Sequence, residues 1–487
     1  MPKVRRSAPS DVSTATPPAP ITRATSKPTA AAFTNGRADA FKLKDAALRR
    51  ELKELHGDAA QLEQIPQAVD KLITIFGTAR AKPSPGENGH ADWVFGEALG
   101  AALREAGYSI STGAGAGAME APMRGHAKRD EELDAKAGRT IGWEAGEPNR
   151  VGANIILPHE QKANPYIDPT NLQTYNLFLF RMQYLFRDGG AQAQPVEGAV
   201  SSKLVTPGGF GTIAEHFMYL AMRARGLASE EMVFLSHDDF YQQLNAAFLP
   251  FVHDDKEVRD LENVLSGDPK QIVDKLLAMA PAVPASEENI VARMRDDLEK
   301  GLVSLDGKPP AIAFFSGEGP RSQEAAPLME AIAEGAAKAG KPVRIAGSSI
   351  GDEAVLRGAR KAKPDAEVQA FALHGAALAD ASYVQVHDPL VLRQLMNTNV
   401  EAIVATPESA LQLAMLFTTA TDIQTGKMAK KPVIVLDPDG KFDALKKQLA
   451  ASLHSADRRY INLEDLDIFT TVKADPQAAL RAMNLAA

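Results

Sequence analysis

One stretch, Leu204-Val-Thr-Pro-Gly-Gly-Phe-Gly-Thr-Ile-Ala-Glu-His-Phe217, narrows the folds open to this chain more than any other. An apolar run enters a proline and three glycines and leaves as a helical pattern, which reads as buried strand, tight turn, helix. Gly208, Gly209 and Gly211 let the backbone approach a ligand that a Cβ would hold off. Thr212 is placed to cap the helix, whose free N–H groups suit a phosphate. Glu215 falls about one turn further in. An anion cradle with a carboxylate beside it points to chemistry on a phosphorylated small molecule. The plainer alternative is a glycine-rich turn followed by a surface glutamate.

The surrounding chain alternates strands and helices. Lys71–Gly77 is a short apolar strand followed by Thr78-Ala-Arg80, and Asp92–Ala106 reads as a helix stopped by Gly107. Tyr108–Thr112 enters the run Gly113-Ala-Gly-Ala-Gly117-Ala-Met119. Further short strands are expected at Thr140–Gly142 and Ala153–Leu157, a helix over Leu177–Phe186, and a strand over Met232–Ser236. Repeated β-α units of this kind predict a Rossmann-like parallel sheet flanked by helices, with ligands at the carboxyl ends of its strands. The three glycine turns, at Gly77, at Gly113–Gly117 and at Gly208–Gly211, all lie at such ends and can converge on one crevice.

After about residue 308 the pattern begins again. Ala311–Gly317 parallels the strand ending at Gly77, and Pro342–Gly351 parallels the strand and turn at Gly113 and Gly117. Leu390–Arg393 echoes Leu177–Arg181, Val404–Pro407 echoes Val205–Pro207, and Pro432–Asp437 echoes Met232–Ser236. We read this as a duplicated α/β fold with a degenerate second copy. Where the first copy has Pro207-Gly-Gly-Phe-Gly-Thr-Ile-Ala-Glu215, the second has Pro407-Glu-Ser-Ala-Leu-Gln-Leu-Ala-Met415. The glycines and the acid are gone, and Glu408 would repel a phosphate. The expected organisation is a disordered tail over 1–39, a helical segment over 40–68, the first α/β copy over 69–282, a linker helix over 283–308, and the second copy over 309–487.

Composition excludes several functions. A net charge of -8 argues against a general nucleic-acid binder. No cysteine is present, so disulfides, thiol nucleophiles and thiolate metal sites are ruled out, in keeping with a cytoplasmic protein. No apolar run reaches the roughly 18–20 residues that span a bilayer. The ten histidines contain no HExxH and no close pair at ligand spacing, so no metal site is expected.

The pattern Pro-Gly-Gly-x-Gly-Thr-x-x-Glu at 207–215 resembles the signature of the Lonely Guy (LOG) family, long labelled lysine decarboxylases. Gly113–Met119 with Glu-Ala-x-x-Arg-Gly at 120–125, and Leu157-Pro-His-Glu-Gln161 with Asn164-Pro-Tyr166, add to the resemblance. It is strong over about 70–280 and survives over 310–485 only as a degraded copy. The family's members are nucleoside 5′-monophosphate phosphoribohydrolases. The resemblance implies a nucleotide substrate, a homo-oligomer of at least two chains, and Arg181 and Glu215 as the catalytic pair, with Arg187 a rival for the arginine. Two departures from the family pattern are an insertion over Asp188–Gly198 and Ser201 in place of a frequent acid.

The reaction so implied hydrolyses an N-glycosidic bond. Loss of the base builds positive charge on the ribose, which a carboxylate such as Glu215 can stabilise while it orients or deprotonates water. Arg181 would hold phosphate or ribose hydroxyls by forked hydrogen bonds. Gly208, Gly209, Gly211 and Thr212 would hold the phosphate. Gly113, Gly115 and Gly117 would approach the ribose or base, with Met119 as an apolar wall and Gly77, Thr78 and Arg80 at the same crevice. No cofactor is required. The competing expectation is a non-catalytic nucleotide-binding or regulatory protein of the same fold.

Overall fold

The computed structural model describes residues 43–63, 71–137, 149–158, 162–167, 169–186, 202–279, 290–347, 349–375 and 383–485. The expected tail over 1–39, the strand at Thr140–Gly142, Arg187, the insertion over Asp188–Gly198 and Ser201 lie outside the described residues.

Two seven-stranded sheets carry the fold, and every pairing in both is parallel. The first contains β1 (Leu72–Phe76), β2 (Ser109–Thr112), β3 (Arg150–Ile155), β4 (Leu172–Tyr175), β5 (Ser202–Val205), β6 (Glu231–Ser236) and β7 (Val264–Ser266). The second contains β8 (Ala311–Phe315), β9 (Val343–Ile345), β10 (Val368–Leu373), β11 (Tyr383–Val386), β12 (Val400–Ala405), β13 (Val433–Leu436) and β14 (Phe469–Val472). Their orders are β4-β3-β2-β1-β5-β6-β7 and β11-β10-β9-β8-β12-β13-β14, the same topology twice. The duplication read from the sequence is therefore a duplication of the whole sheet.

Helices on both faces bury the central strands on both sides, Thr74, Ser202 and Lys203 included. All five residues of β1 and all four of β5 are buried. Ile73, Ile75, Leu204, Val233 and Leu235 pack beneath Leu99 and Leu103 of the helix His90–Glu105. Each such side chain contributes about 1.5–3 kcal/mol through burial. The edge strand β4 escapes the sequence pattern because its first three residues are only half-buried and mostly polar.

Register refines the correspondence between copies. Phe76 pairs with Val205 and Phe315 with Ala405, so Ser316, not Gly317, stands where the first copy has Gly77. Likewise Thr112 pairs with Ile75 and Ile345 with Phe314, which places Gly347 opposite Ala114 rather than Gly113. Both Ala114 (φ 59°) and Gly347 (φ 73°) adopt the left-handed conformation there.

The two copies meet through the motif helix, Phe210–Ala224, which lies along its counterpart Ala410–Gln424. Phe210 sits 5.5 Å from Phe417 and 5.7 Å from Phe469, and Phe248 sits 5.8 Å from Phe417, ring centroid to ring centroid. All four rings are essentially buried. Such offset and edge-on aromatic pairs add about 0.5–1.5 kcal/mol each beyond their burial. The expected N-terminal helix forms over Ala46–Glu63 and straps the copies together. Its Asp58 accepts from the backbone N–H groups of Asn176 and Leu177, and its Glu51 accepts from Gln394 and Thr398.

Candidate active site

Strand connections in the first sheet run outward from β1 to β4 and then return to β5, so the topology reverses between β1 and β5. Ligands of open parallel sheets bind at such a switch point. Gly77 ends β1 here, and Pro207–Gly211 follows β5. The turns are stitched together: Thr78 N donates to Pro207 O (3.3 Å), Ala118 N to Thr78 O (2.7 Å), and Tyr241 Oη to Thr206 O (2.7 Å). A cleft of about 280 Å³ opens at this point, near the lower end of the range for small-molecule sites.

The cleft brings together most of the residues singled out in the sequence. Gly77, Thr78, Arg80, Met119, Arg181, Gly209, Gly211, Thr212 and Glu215 all line it. The helix N-cap is Gly209, and Thr212 is the third residue inside the helix, so the expected threonine cap is displaced by three positions. A glycine serves because the carbonyl of Tyr460 lies only 2.7 Å from where a Cβ on Gly209 would be. Gly208, Gly113, Gly115 and Gly117 stand behind the lining. Gly208 backs onto Thr212, Gly115 O accepts from Asn164 Nδ2 (3.3 Å), and Gly117 takes φ 72° where the chain closes over Thr78 and Ala79.

Gly113 has a particular role. A Cβ there would overlap Arg181 Nη2 and come within 2.7 Å of Met119 Sδ. The missing side chain is the space the guanidinium occupies. Arg181 belongs to the helix Phe178–Phe186 and is 6% exposed. Its Nη1 donates to Glu215 Oε1 (2.7 Å) and its Nε to Ala153 O (3.0 Å). Glu215 is 7% exposed. Burial pushes its carboxyl above the usual carboxylate range, while Arg181 pulls it back. The next residue, His216, points into an aromatic cluster with Phe217, Phe234 and Phe248, where burial lowers its pKa to about 3 and keeps it neutral.

The sequence did not single out the apolar side chains Ile155, Phe178 and Met182, nor the wall made by Thr418, Thr421, Gln424, Thr425 and Tyr460; Leu157, also at the lining, entered only as the start of the Leu157–Gln161 match. That wall belongs entirely to the second copy. Its threonines recur at helical spacing, 418, 421 and 425, a pattern that in sequence reads as an ordinary buried face. A cross-copy clasp holds it in place. Arg458 donates from Nε and Nη2 to Asp92 (2.7 and 2.8 Å) and from Nη1 to Asp238 (2.8 Å), and Tyr460 donates to Asp92. Against the cost of burial, Arg458, His237 (Nε2 3.3 Å from Asp92 Oδ1) and Tyr460 together lower the Asp92 pKa to about 2.

The matching turns in the second copy carry carboxylates of their own. Ala410 N, at the start of the counterpart helix, donates to Glu257 Oε2 (3.2 Å), a side chain from the first copy. Glu408 instead turns onto the helix Pro320–Lys338, accepting from Gly319 N (2.9 Å) and Ser322 N (3.0 Å). At the Gly347 turn, Ser349 N donates to Asp352 Oδ2 (3.2 Å) in a capping box. Anion-binding geometry thus persists in the second copy with protein carboxylates in the anion's place.

Among the described residues no cluster of His, Asp and Glu has metal-binding geometry, and no helix is long and apolar enough to cross a membrane. No family model and no curated protein matches the chain. Among solved structures it is similar to the molybdenum cofactor binding protein from the phototrophic bacterium Rippkaea orientalis, at 13% identity and a TM-score of 0.27 over 43% of this chain and 96% of that one. It is also similar to a UDP-glucose: anthocyanidin 3-O-glucosyltransferase in complex with UDP, at 14% identity and a TM-score of 0.21 over 85% of this chain and 98% of that one. Likenesses at these TM-scores carry no argument about the site.

Proposed function

We propose that the first copy hydrolyses the N-glycosidic bond of a nucleoside 5′-monophosphate, giving free base and ribose 5-phosphate. The observation that carries this reading is the buried Arg181–Glu215 pair, set one turn inside a helix whose N-terminus borders the same cleft. Resemblance of residues 207–215 to the LOG signature supports it. In this reading the N–H groups of Gly209–Thr212 and Arg80 take the 5′-phosphate, using the positive end of the helix dipole. Departure of the base leaves positive charge on C1′ of the ribose, and the Glu215 carboxylate stabilises it. Water adds its hydroxyl to C1′ as Glu215 takes its proton, and the C1′–N bond breaks with its electron pair on the base nitrogen, which that same proton neutralises on leaving Glu215. A base with a raised pKa is better matched to that proton transfer at neutral pH. Arg181 keeps Glu215 aimed and has its remaining Nη hydrogens for the ribose hydroxyls. The chemistry calls for no cofactor.

Both walls of the cleft come from one chain, so this reading does not depend on the homo-oligomer implied by the resemblance; light scattering measures that state separately. The deciding experiment is a panel of nucleoside monophosphates assayed for free base. Release from at least one of them, abolished by Glu215→Gln, supports the proposal; no release from any, or undiminished release by that variant, sinks it. A second reading, nucleotide binding without turnover, is favoured by the way Arg181 and Glu215 satisfy one another. Calorimetric binding across the same panel with no base released would select it.

A further inference from the structure

We propose that Gln424 and Thr425 of the second copy read the base, and that they select a base whose edge carries an amino group. This rests on the nucleotide reading above.

The cleft has two ends that the contacts distinguish. At one end lies the helix N-terminus, where Thr421 Cγ2 stands 3.6 Å from a Cβ placed on Gly211. From there the counterpart helix runs toward the opposite end. Gly426, just past its last turn, lies 3.8 Å (again from a placed Cβ) from Pro158, and Lys427 donates to Asn176 O and stands 5.7 Å from the Phe178 ring. Thr425, next to Gly426, therefore faces the end lined by Ile155, Leu157 and Phe178, the apolar part of the cleft, where a flat base is best accommodated, and Gln424 borders the cleft beside it with its amide on Asp465.

What these residues offer a base is set by where their hydrogens already go. Thr425 Oγ1 donates to Thr421 O (2.8 Å), and Gln424 Nε2 donates to Asp465 Oδ2 (2.6 Å). The carboxylate fixes the amide orientation, because only its nitrogen end can face Asp465. Beyond these bonds Thr425 Oγ1 keeps a lone pair, and Gln424 keeps Oε1 and the second hydrogen of Nε2. The rest of that wall follows the same rule: Thr418 donates to Ala414 O (2.7 Å), Thr421 to Phe417 O (2.8 Å), and Tyr460 to Asp92. The first copy supplies the guanidinium and helix N–H donors, and the second supplies acceptors. Acceptors pair with an exocyclic amine and leave a carbonyl oxygen unpaired and opposed.

The test compares nucleotides in which an oxo group replaces the amine and the neighbouring ring nitrogen gains a hydrogen, AMP with IMP and CMP with UMP, by calorimetric binding to the full chain and by base release. Amino forms are expected to bind about ten- to a hundredfold more tightly, the cost of leaving buried acceptors unpaired. Gln424→Met with Thr425→Val should reduce that ratio to about threefold or less. Asp465→Asn, which keeps the side-chain shape but frees the Gln424 amide to turn, should reduce it with little loss of total affinity. Equal binding of amino and oxo forms by the native chain, or a ratio unmoved by both variants, overturns the inference. If binding discriminates but no nucleotide releases its base, the nucleosidase reading fails and this one stands. Base release without discrimination overturns this one and leaves the nucleosidase reading standing.

Discussion

Arg181 Nη1 donates to Glu215 Oε1 across 2.7 Å, joining two residues 34 apart in sequence inside a cleft where both are more than nine-tenths buried. An ion pair so placed is a poor stabiliser, because desolvation offsets much of its attraction. Glu215→Gln can still accept from Arg181 through its amide oxygen but leaves the guanidinium buried without a counter-charge. It should lose up to about 3–5 kcal/mol of stability, keep its nucleotide affinity within about threefold while folded, and lose at least about 10²-fold in kcat if the carboxylate handles the proton. Single-turnover base release beside calorimetric affinity separates the two effects.

The same pair sets the acid limb of the pH profile. Burial raises the Glu215 pKa and Arg181 opposes the rise, so the base is lost to protonation above the pH at which an ordinary glutamate would be. The limb of kcat/KM should fall above the usual carboxylate pKa of about 4.3. Residual activity of Arg181→Met should show the limb displaced to still higher pH, since the lowering partner is gone. A limb that stays put in that variant would assign it to another group.

Glu257 gives stability a pH dependence of its own. It is 4% exposed, and burial raises its pKa to about 7 although Ala410 N donates to it. A folded pKa above the unfolded one means the stabilisation is complete below about pH 4.5 and is lost as pH rises through about 7. Denaturant unfolding should show stability declining across that window by at most about 3 kcal/mol from this residue. Glu257→Gln should flatten the decline and be the more stable protein at pH 8.

Much of this was legible because it is written locally. Strand, glycine turn and helix at 204–217 occupy consecutive residues, and the second copy repeats the same strand punctuation, so the parallel α/β fold and its duplication follow from pattern. Glu215 lies within that motif. Arg181 was reachable only through the family resemblance, since nothing near it in sequence points to Glu215. Gln424 and Thr425 were out of reach for a physical reason: they arrive through the packing of one motif helix on its counterpart, some 200 residues away, and helix spacing alone reads as ordinary burial; Tyr460 arrives on a still later segment, through its bond to Asp92. Thr212 misled because a threonine cap is the usual choice, whereas the close approach of Tyr460 O requires a glycine at the cap.

The clasp between copies offers a test of that packing. Asp92 is held by Arg458 and Tyr460 from the opposite copy and by His237 of its own, whose Nε2 lies 3.3 Å from Asp92 Oδ1. Arg458→Met takes one cation from a buried carboxylate that keeps His237 and Tyr460, and should cost about 1–3 kcal/mol. Adding Asp92→Asn should recover more than half of the loss, because the charge that needed a partner is gone. Denaturant unfolding of the two single variants and the double variant closes the cycle; additive losses would mean the two residues act independently.

Gly113 separates folding from positioning. Its Cβ-shaped vacancy holds Arg181 Nη2, and Met119 Sδ closes the remaining side. Gly113 is not among the residues with a left-handed backbone, so alanine is conformationally acceptable there and also restricts the unfolded chain, worth about 0.4–1 kcal/mol in its favour. The clash falls on the end of a flexible side chain, which can turn aside. Gly113→Ala should thus keep its melting temperature within a few degrees while kcat falls about 10²-fold, the scale expected when a reacting geometry shifts by about an ångström. Circular dichroism and steady-state base release on one preparation check both halves. Near-native turnover would show that the guanidinium need not occupy that space, whereas a collapsed fold would show that Gly113 serves packing first.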